Sequence, residues 1–139
     1  KSKKSKEGGK SGSVMVVGAG IAGMQAALDL AASNYFVYLV EKSPTIGGLM
    51  ARLDKTFPTN DFHVNYLAQL VEVGRNINIK LITNSEVKVV EGEPGHFEVT
   101  LTNHPRFIDP KKCTGCGDCA RHCPVAAVND INKGMDDRR

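Results

Sequence analysis

The chain reads as α/β: a parallel-sheet unit built round a glycine turn, followed by a smaller cysteine-bearing unit. Three observations predict this. The apolar run Val14–Val17 leads straight into Gly18-Ala19-Gly20-Ile21-Ala22-Gly23. Residues 21–32 are mostly helix formers and lead to a second apolar run that closes on Glu41. All four cysteines fall in one stretch, Cys113-Thr-Gly-Cys116-Gly-Asp-Cys119-Ala-Arg-His-Cys123-Pro124, about ninety residues beyond the glycine turn.

Val14–Val17, with three valines, has the continuous hydrophobicity of a strand buried on both faces. Ile21–Ala32 is rich in Ala, Leu, Met and Gln, which favour helix. Asn34 suits the helix exit, and Tyr35–Val40 forms the second strand. Glu41 stands eighteen residues after Gly23, where a Rossmann-like βαβ unit places the acidic residue of its dinucleotide fingerprint. In that reading Gly18 makes the tight turn, Gly20 lets a pyrophosphate approach, and Gly23 lets helix and strand pack closely. Ala19, Ile21 and Ala22 complete the turn and open the helix. The helix N-terminus offers N–H groups and partial positive charge to the pyrophosphate. Glu41 accepts hydrogen bonds from the adenosine ribose, and its carboxylate disfavours a 2′-phosphate and hence NADP. Lys42 is counted beside it among the cofactor-binding residues.

Further along, Asn60-Asp61 caps a helix running from Phe62 to Val73, with Val64, Leu67, Ala68 and Val71 as its apolar face. Ile77–Thr83 alternates as a strand. Val87–Glu91 and His96–Thr102 flank Gly92-Glu-Pro-Gly95 as a hairpin. Pro105–Asp109 leads into the cysteine loop. His63, His96, His104 and His122 are scattered, and none is assigned to metal. Arg52, Asp54 and Lys55 read as a solvated face. The expected domains are a basic linker over 1–13, a partial dinucleotide-binding domain over 14–107 and a partial cysteine domain over 108–139.

The net charge of +3 over 139 residues is a property of the leader. Lys1–Ser13 carries five Lys and one Glu, leaving 13 basic and 14 acidic groups in the remainder. A tail of Lys, Ser and Gly with no aromatic or amphipathic pattern reads as a solvated linker rather than a nucleic-acid or membrane anchor. Its Gly9-Lys10-Ser11 is not a phosphate loop, because Lys4 stands where the leading glycine belongs. No apolar run approaches a membrane span. Cysteines grouped for metal imply a reducing compartment, with the cytoplasm expected.

Thiolates are soft ligands for iron–sulfur clusters, zinc and cuprous ions. The spacing C-x2-C-x2-C-x3-C-P is that of bacterial ferredoxins and predicts a [4Fe-4S] cluster. Zinc sites instead pair two C-x2-C knuckles across a longer spacer, and a disulfide framework does not suit such short gaps. Gly115 and Gly117 give the loop its backbone angles, and Pro124 directs the chain away after Cys123. In two-cluster ferredoxins the fourth cysteine of such a run ligates the other cluster. Cys113, Cys116 and Cys119 are then the ligands of one cluster. Cys123 closes it unusually, works with another chain, or serves a second cluster whose run lies beyond Arg139. The last is the expectation adopted.

Glu41-Lys-Ser-Pro-Thr-Ile-Gly47-Gly48 resembles the loop after the second strand of two-dinucleotide-binding flavoproteins, where Gly47 and Gly48 would lie near FAD. Val16-Val-Gly-Ala-Gly-Ile-Ala-Gly-Met-Gln-Ala-Ala, Val40-Glu-Lys-Ser-Pro-Thr-Ile-Gly-Gly, Leu53-Asp-Lys-Thr-Phe-Pro-Thr-Asn-Asp61, Leu70-Val-Glu-Val-Gly-Arg and Lys112-Cys-Thr-Gly-Cys-Gly-Asp-Cys together resemble the A-type, FAD and iron–sulfur subunits of the CoB–CoM heterodisulfide reductase family, over residues 14–137. That resemblance implies a thioredoxin-reductase-like FAD domain interrupted by a ferredoxin-like α+β domain, in a much longer protein. It implies an oxidoreductase of methanogenesis that passes electrons between flavin and clusters toward CoM-S-S-CoB, with flavin-based bifurcation. The partners it implies are B- and C-like subunits, a hydrogenase or formate dehydrogenase-type donor, and ferredoxin; an oligomer is expected. Phe62 and Asn65 stand where the family carries cysteines for a further cluster, which puts that cluster, and bifurcation with it, in question.

No residue reads as a general acid, base or nucleophile. Two other functions fit the same motifs. One is a generic FAD/NAD-dependent oxidoreductase with a ferredoxin module, as in sulfate- or sulfur-metabolising complexes, which gene neighbours would separate. The other is a non-catalytic electron-transfer or docking fragment without flavin, which a flavin assay would separate.

Overall fold

The structure, a computed structural model, describes residues 12–58, 60, 67–128, 134–135 and 137–138. It forms two compact units that divide between His104 and Pro105. The expected linker through residue 11, the cap residue Asp61, and the helix start at 61–66 with Phe62, Val64 and Asn65 lie outside the described residues.

The first unit opens with β1 (Ser13–Val17), α1 (Ile21–Ala32) and β2 (Phe36–Glu41). A 3-10 turn over Gly48–Arg52, helix α2 (Leu67–Arg75) and strand β3 (Ile79–Thr83) follow. The three strands form one parallel sheet in the order β1-β2-β3. Ser13 pairs with Phe36 and Val17 with Val40, while Val37 pairs with Ile79 and Glu41 with Thr83. The register brings the C-terminal ends of all three strands to one edge, where ligands of open parallel sheets bind.

Helix α1 has one buried stripe, Met24, Ala27, Leu28 and Ala31, at the i, i+3, i+4, i+7 spacing of an amphipathic helix. It meets Val37, Leu39, Val73 and Ile79 in a single core. Alanine at two of these four positions lets helix and sheet approach closely. Met24, Val37 and Leu39 are wholly buried, each worth about 1.5–3 kcal/mol of transfer free energy.

Helix α2 departs from the expectation. The predicted apolar face included Leu67, Ala68 and Val71, but Leu67, Ala68 and Val71 do not reach the core; Leu67 and Val71 are exposed. Val73 is buried and Leu70 packs against the core instead. Two apolar stripes share this helix, and periodicity alone does not say which turns inward. The Gln69 Nε2 bond to Gln25 Oε1 on α1, at 2.8 Å, ties the same helix to its neighbour beside Leu70 and Val73. Strand β3 also starts later than Ile77. Asn78 N–H donates to Asn76 Oδ1 and Ile79 N–H to Asn76 O, so Ile77 sits in a turn and is exposed.

Strands β4 (Ser85–Glu93) and β5 (His96–Asn103) form the predicted hairpin, with β4 longer at both ends, β5 longer by Asn103, and the turn narrowed to Pro94-Gly95. Their pairing runs from Ser85–Asn103 to Glu93–His96, with an irregularity between Val87 and Val89. A Cβ on Gly92 would run into the His96 carbonyl, and its φ is +100°, so glycine is required there. Ser85 is buried, and its hydroxyl lies within hydrogen-bond reach of Thr83 O and Asn103 Oδ1, fixing the hairpin root to the end of β3.

The second unit contains α3 (Asp118–Arg121) and a short antiparallel pair, β6 (Ala127–Val128) with β7 (Asp137–Arg138). Among its described residues only Ala120 and Cys123 are even half-buried. Among the described residues no helix is long and apolar enough to cross a membrane.

Candidate dinucleotide and cluster sites

The glycine turn sits between the ends of β1 and β2. Gly18 N–H donates to Val40 O at 2.7 Å, and its φ of +96° requires glycine. Gly23 is forced by packing, since a Cβ there would overlap the Gly18 carbonyl oxygen. Gly20 differs from both. Its φ of −76° is open to any residue, and a Cβ there would meet no protein atom within 4 Å. Neither packing nor backbone angle demands glycine here, and the space beside Gly20, at the start of α1, is open. Helix α1 begins directly behind it, with no side-chain cap and no acidic residue in its first turn. Its N-terminal N–H groups and dipole are therefore left to an anion. Ile21 in that first turn is exposed, and Ala22 beside it is exposed too.

Glu41 closes the other side. Its carboxylate is buried, accepting from Ala19 N–H at 2.6 Å on Oε2 and from Ser43 N–H at 2.8 Å on Oε1. Burial pushes its pKa up, but the hydrogen bonds from Ser43 and Ala19, with the nearby Lys42 charge, outweigh burial and hold it below the usual carboxylate value. The second loop is joined to the first: Gly47 N–H donates to Ala19 O at 2.8 Å. A Cβ on Gly48 would stand 3.1 Å from Gly20 Cα, and both loop glycines have positive φ, +108° and +57°. The structure thus gathers Gly18, Ala19, Gly20, Gly23, Glu41, Gly47 and Gly48 at one edge of the sheet. Lys42 is exposed beside them. The sequence reading missed Ser43, which reaches the Glu41 carboxylate through its backbone N–H and its side chain; its signal is a hydroxyl residue two places after a strand-ending Glu.

These residues fit the adenosine diphosphate part of a dinucleotide: an open cradle at Gly20, an uncapped helix terminus for phosphate, and a carboxylate with lone pairs to spare for ribose hydroxyls. Gly20→Ala, at the N-cap of α1, should cost at most about 1 kcal/mol of stability while weakening dinucleotide binding by on the order of tenfold. Paired thermal melts and fluorescence titrations check this. The lowered Glu41 pKa sets a pH dependence. A depressed carboxyl contributes stability above its unfolded pKa and loses it as pH falls through the folded one. The link to Ala19 and Ser43 should therefore hold at neutral pH and fail only in acid beyond the ordinary carboxylate range. Amide chemical shifts of Ala19 and Ser43, followed from neutral pH downward, should move there in the native chain and stay flat in Glu41→Gln.

In the second unit, Asp109 starts the cysteine loop. Its carboxylate takes Lys111 N–H and its carbonyl takes Cys113 N–H. Gly115 and Gly117, between the cysteines, both have left-handed φ, +73° and +80°. Cys119 lies in α3 and Cys123 just after it. Cys113, Cys116 and Cys119 are exposed; Cys123 is half-buried, its thiol 3.5 Å from Val125 O. Among the described residues no three His, Cys, Asp or Glu side chains stand close enough to hold a metal ion. The donors fit a cluster in kind and spacing, and loading would draw them together.

A Rossmann-like dinucleotide-binding unit and an iron–sulfur unit in one chain define a redox protein. Residues 16–82 match the NAD(P)-binding Rossmann-like domain family and residues 106–129 the 4Fe-4S binding domain family. The chain is 54% identical over 128 residues to an A-type iron–sulfur subunit of the CoB–CoM heterodisulfide reductase of Methanopyrus kandleri, covering 91% of this chain and 19% of that protein. It is 48% identical to the A-type subunit of the H(2)/formate:CoB-CoM heterodisulfide,ferredoxin reductase of Methanococcus maripaludis, covering 91% and 20%. It belongs to this family of A-type heterodisulfide reductase subunits and spans about a fifth of the length of these curated relatives. Among solved structures, L-proline dehydrogenase from P. horikoshii superposes with a TM-score of 0.52 at 28% identity, over 66% of this chain and 19% of that one. The T. acidophilum thioredoxin reductase does so at 0.51 and 24%, over 63% and 29%, which shows a thioredoxin-reductase-like fold.

Proposed function

We propose that this chain is the part of a heterodisulfide reductase-type electron-transfer subunit that holds the adenosine end of FAD and carries cysteine ligands for a [4Fe-4S] cluster. The observation that supports it most is the open Gly20 position at the uncapped start of α1, in a chain that also bears the C-x2-C-x2-C-x3-C run. When bound, flavin exchanges electrons singly or in pairs and a cluster exchanges them singly. The protein's own residues bind and orient. The N-terminus of α1 takes phosphate, Glu41 takes ribose, and Cys113, Cys116 and Cys119 take iron. Cys123 serves a cluster other than theirs. The finer reading includes CoM-S-S-CoB as the final acceptor, B- and C-like subunits, a hydrogenase or formate dehydrogenase-type donor, ferredoxin, and a cytoplasmic location. The relatives' names support a multi-subunit setting of this kind.

Anaerobic purification and reconstitution test the reading. The expected result is the visible absorption band of a bound flavin together with cysteine-bound iron. A chain that takes up iron but no flavin would remove the FAD assignment, and one that takes up flavin but no iron would remove the cluster.

A further inference from the structure

We propose that Glu41 and Gly47 lock Ala19 between them, so that the glycine turn holds its ligand-binding shape before any nucleotide arrives. Glu41 is then a positioning residue for the phosphate cradle, beyond its role toward ribose. The inference rests on the dinucleotide reading of this site.

The geometry carries it. Ala19 is wholly buried, and both its backbone groups are taken by the protein. Its N–H goes to Glu41 Oε2 at 2.6 Å and its C=O receives Gly47 N–H at 2.8 Å. The other carboxylate oxygen holds Ser43 N–H at 2.8 Å. Glu41 therefore bridges the turn after β1 and the loop after β2, and Gly47 joins the far end of that loop to the same alanine. Gly48 then rests against Gly20, close enough that a Cβ on it would stand 3.1 Å from Gly20 Cα.

A carboxylate whose only task was to meet ribose would have no need to bond both loops. This one is 8% exposed and spends one oxygen on each loop. A carboxylate has about four lone-pair sites, so the lock leaves acceptors for ribose hydroxyls. The lock leaves Gly20 half-buried, with Ile21 and Ala22 of α1 exposed beside it. A turn set in advance avoids the ordering cost that a loose glycine loop would incur on binding.

Glu41→Gln separates this from a ribose-only role. Its single carbonyl can accept from one of the two N–H groups, while its NH2 confronts the other donor. The probes are FAD and inorganic pyrophosphate, the second of which reaches the cradle without any ribose. In the full chain, free of ligand, the variant should exchange the Ala19 amide at least about tenfold faster, with the Val37 and Leu39 amides unchanged. It should also bind pyrophosphate more weakly, by about threefold or more, although removing a negative charge would by itself favour an anion. Weakened FAD binding with pyrophosphate binding unchanged or tightened would overturn the lock. An Ala19 amide that exchanges in the native chain as fast as an exposed loop amide would also overturn it, and that measurement decides the matter even where the variant fails to fold. A native chain that binds no FAD would instead refute the dinucleotide reading and leave the amide result standing.

Discussion

Gly23→Ala should destabilise the first unit by about 3 kcal/mol and abolish dinucleotide binding at the same time. The added Cβ would fall on the Gly18 carbonyl oxygen, which is backbone and has no rotamer to escape into. Relief requires α1 to move off the sheet or the turn to move off β1. The first movement opens the core at Met24 and Ala27, both wholly buried. The second breaks the Gly18 N–H bond to Val40 O, at 2.7 Å, which sets the turn against β2. Either way the Gly20 cradle loses its shape. A fall in Tm on the order of 10 °C is expected, read by calorimetry, together with loss of FAD binding in a titration. Gly20→Ala is the matched control: the same added methyl, three residues away, with affinity affected and stability much less. Similar melts for the two variants would mean that Gly23 is not a packing residue.

The contrast between these glycines shows what was legible in the sequence. The G-x-G-x-x-G spacing with Glu41 after it identified the turn, the helix and the edge of the sheet, because each residue type is demanded by backbone geometry that only glycine, or a carboxylate, supplies. The helix over Ile21–Ala32 was legible to the residue, since its start follows a glycine turn and its residues are mostly helix formers. Helix α2 was not. Leu67 and Val71 make as good a stripe as Leu70 and Val73, and the choice between them rests on contacts with α1, which a linear pattern does not contain. The joining of the two loops was equally hidden. Gly47 acts through an N–H group that every residue but proline possesses, so its type carries no trace of the role.

The cysteine unit should prove to be folded by its metal. Among its described residues nothing is buried beyond the half-buried Ala120 and Cys123, and its regular structure amounts to a four-residue helix and two two-residue strands. Ordering a residue costs roughly 1–2 kcal/mol of backbone entropy, and hydrophobic burial on that scale is absent among these residues. The remaining order comes from turns: Asp109 holding Lys111 and Cys113, and Gly117 O holding Ala120 and Arg121. Small domains in this position draw their folding free energy from bound metal. Cys116→Ala should therefore reduce the iron bound by this unit from about four atoms to near none, and the amides from Cys113 to Cys123 should exchange as in an unfolded peptide. Val37 and Leu39 should stay protected, because their core is built within the first unit. Cys123→Ala is expected to retain most of the iron, since the fourth cysteine of such a run serves a different cluster. It is also the one cysteine that is half-buried rather than exposed. Iron content and hydrogen exchange on the two variants, side by side, check both statements. Equal iron loss would place Cys123 on the same cluster as the other three, and full protection of the loop without iron would show that the unit needs no metal to fold.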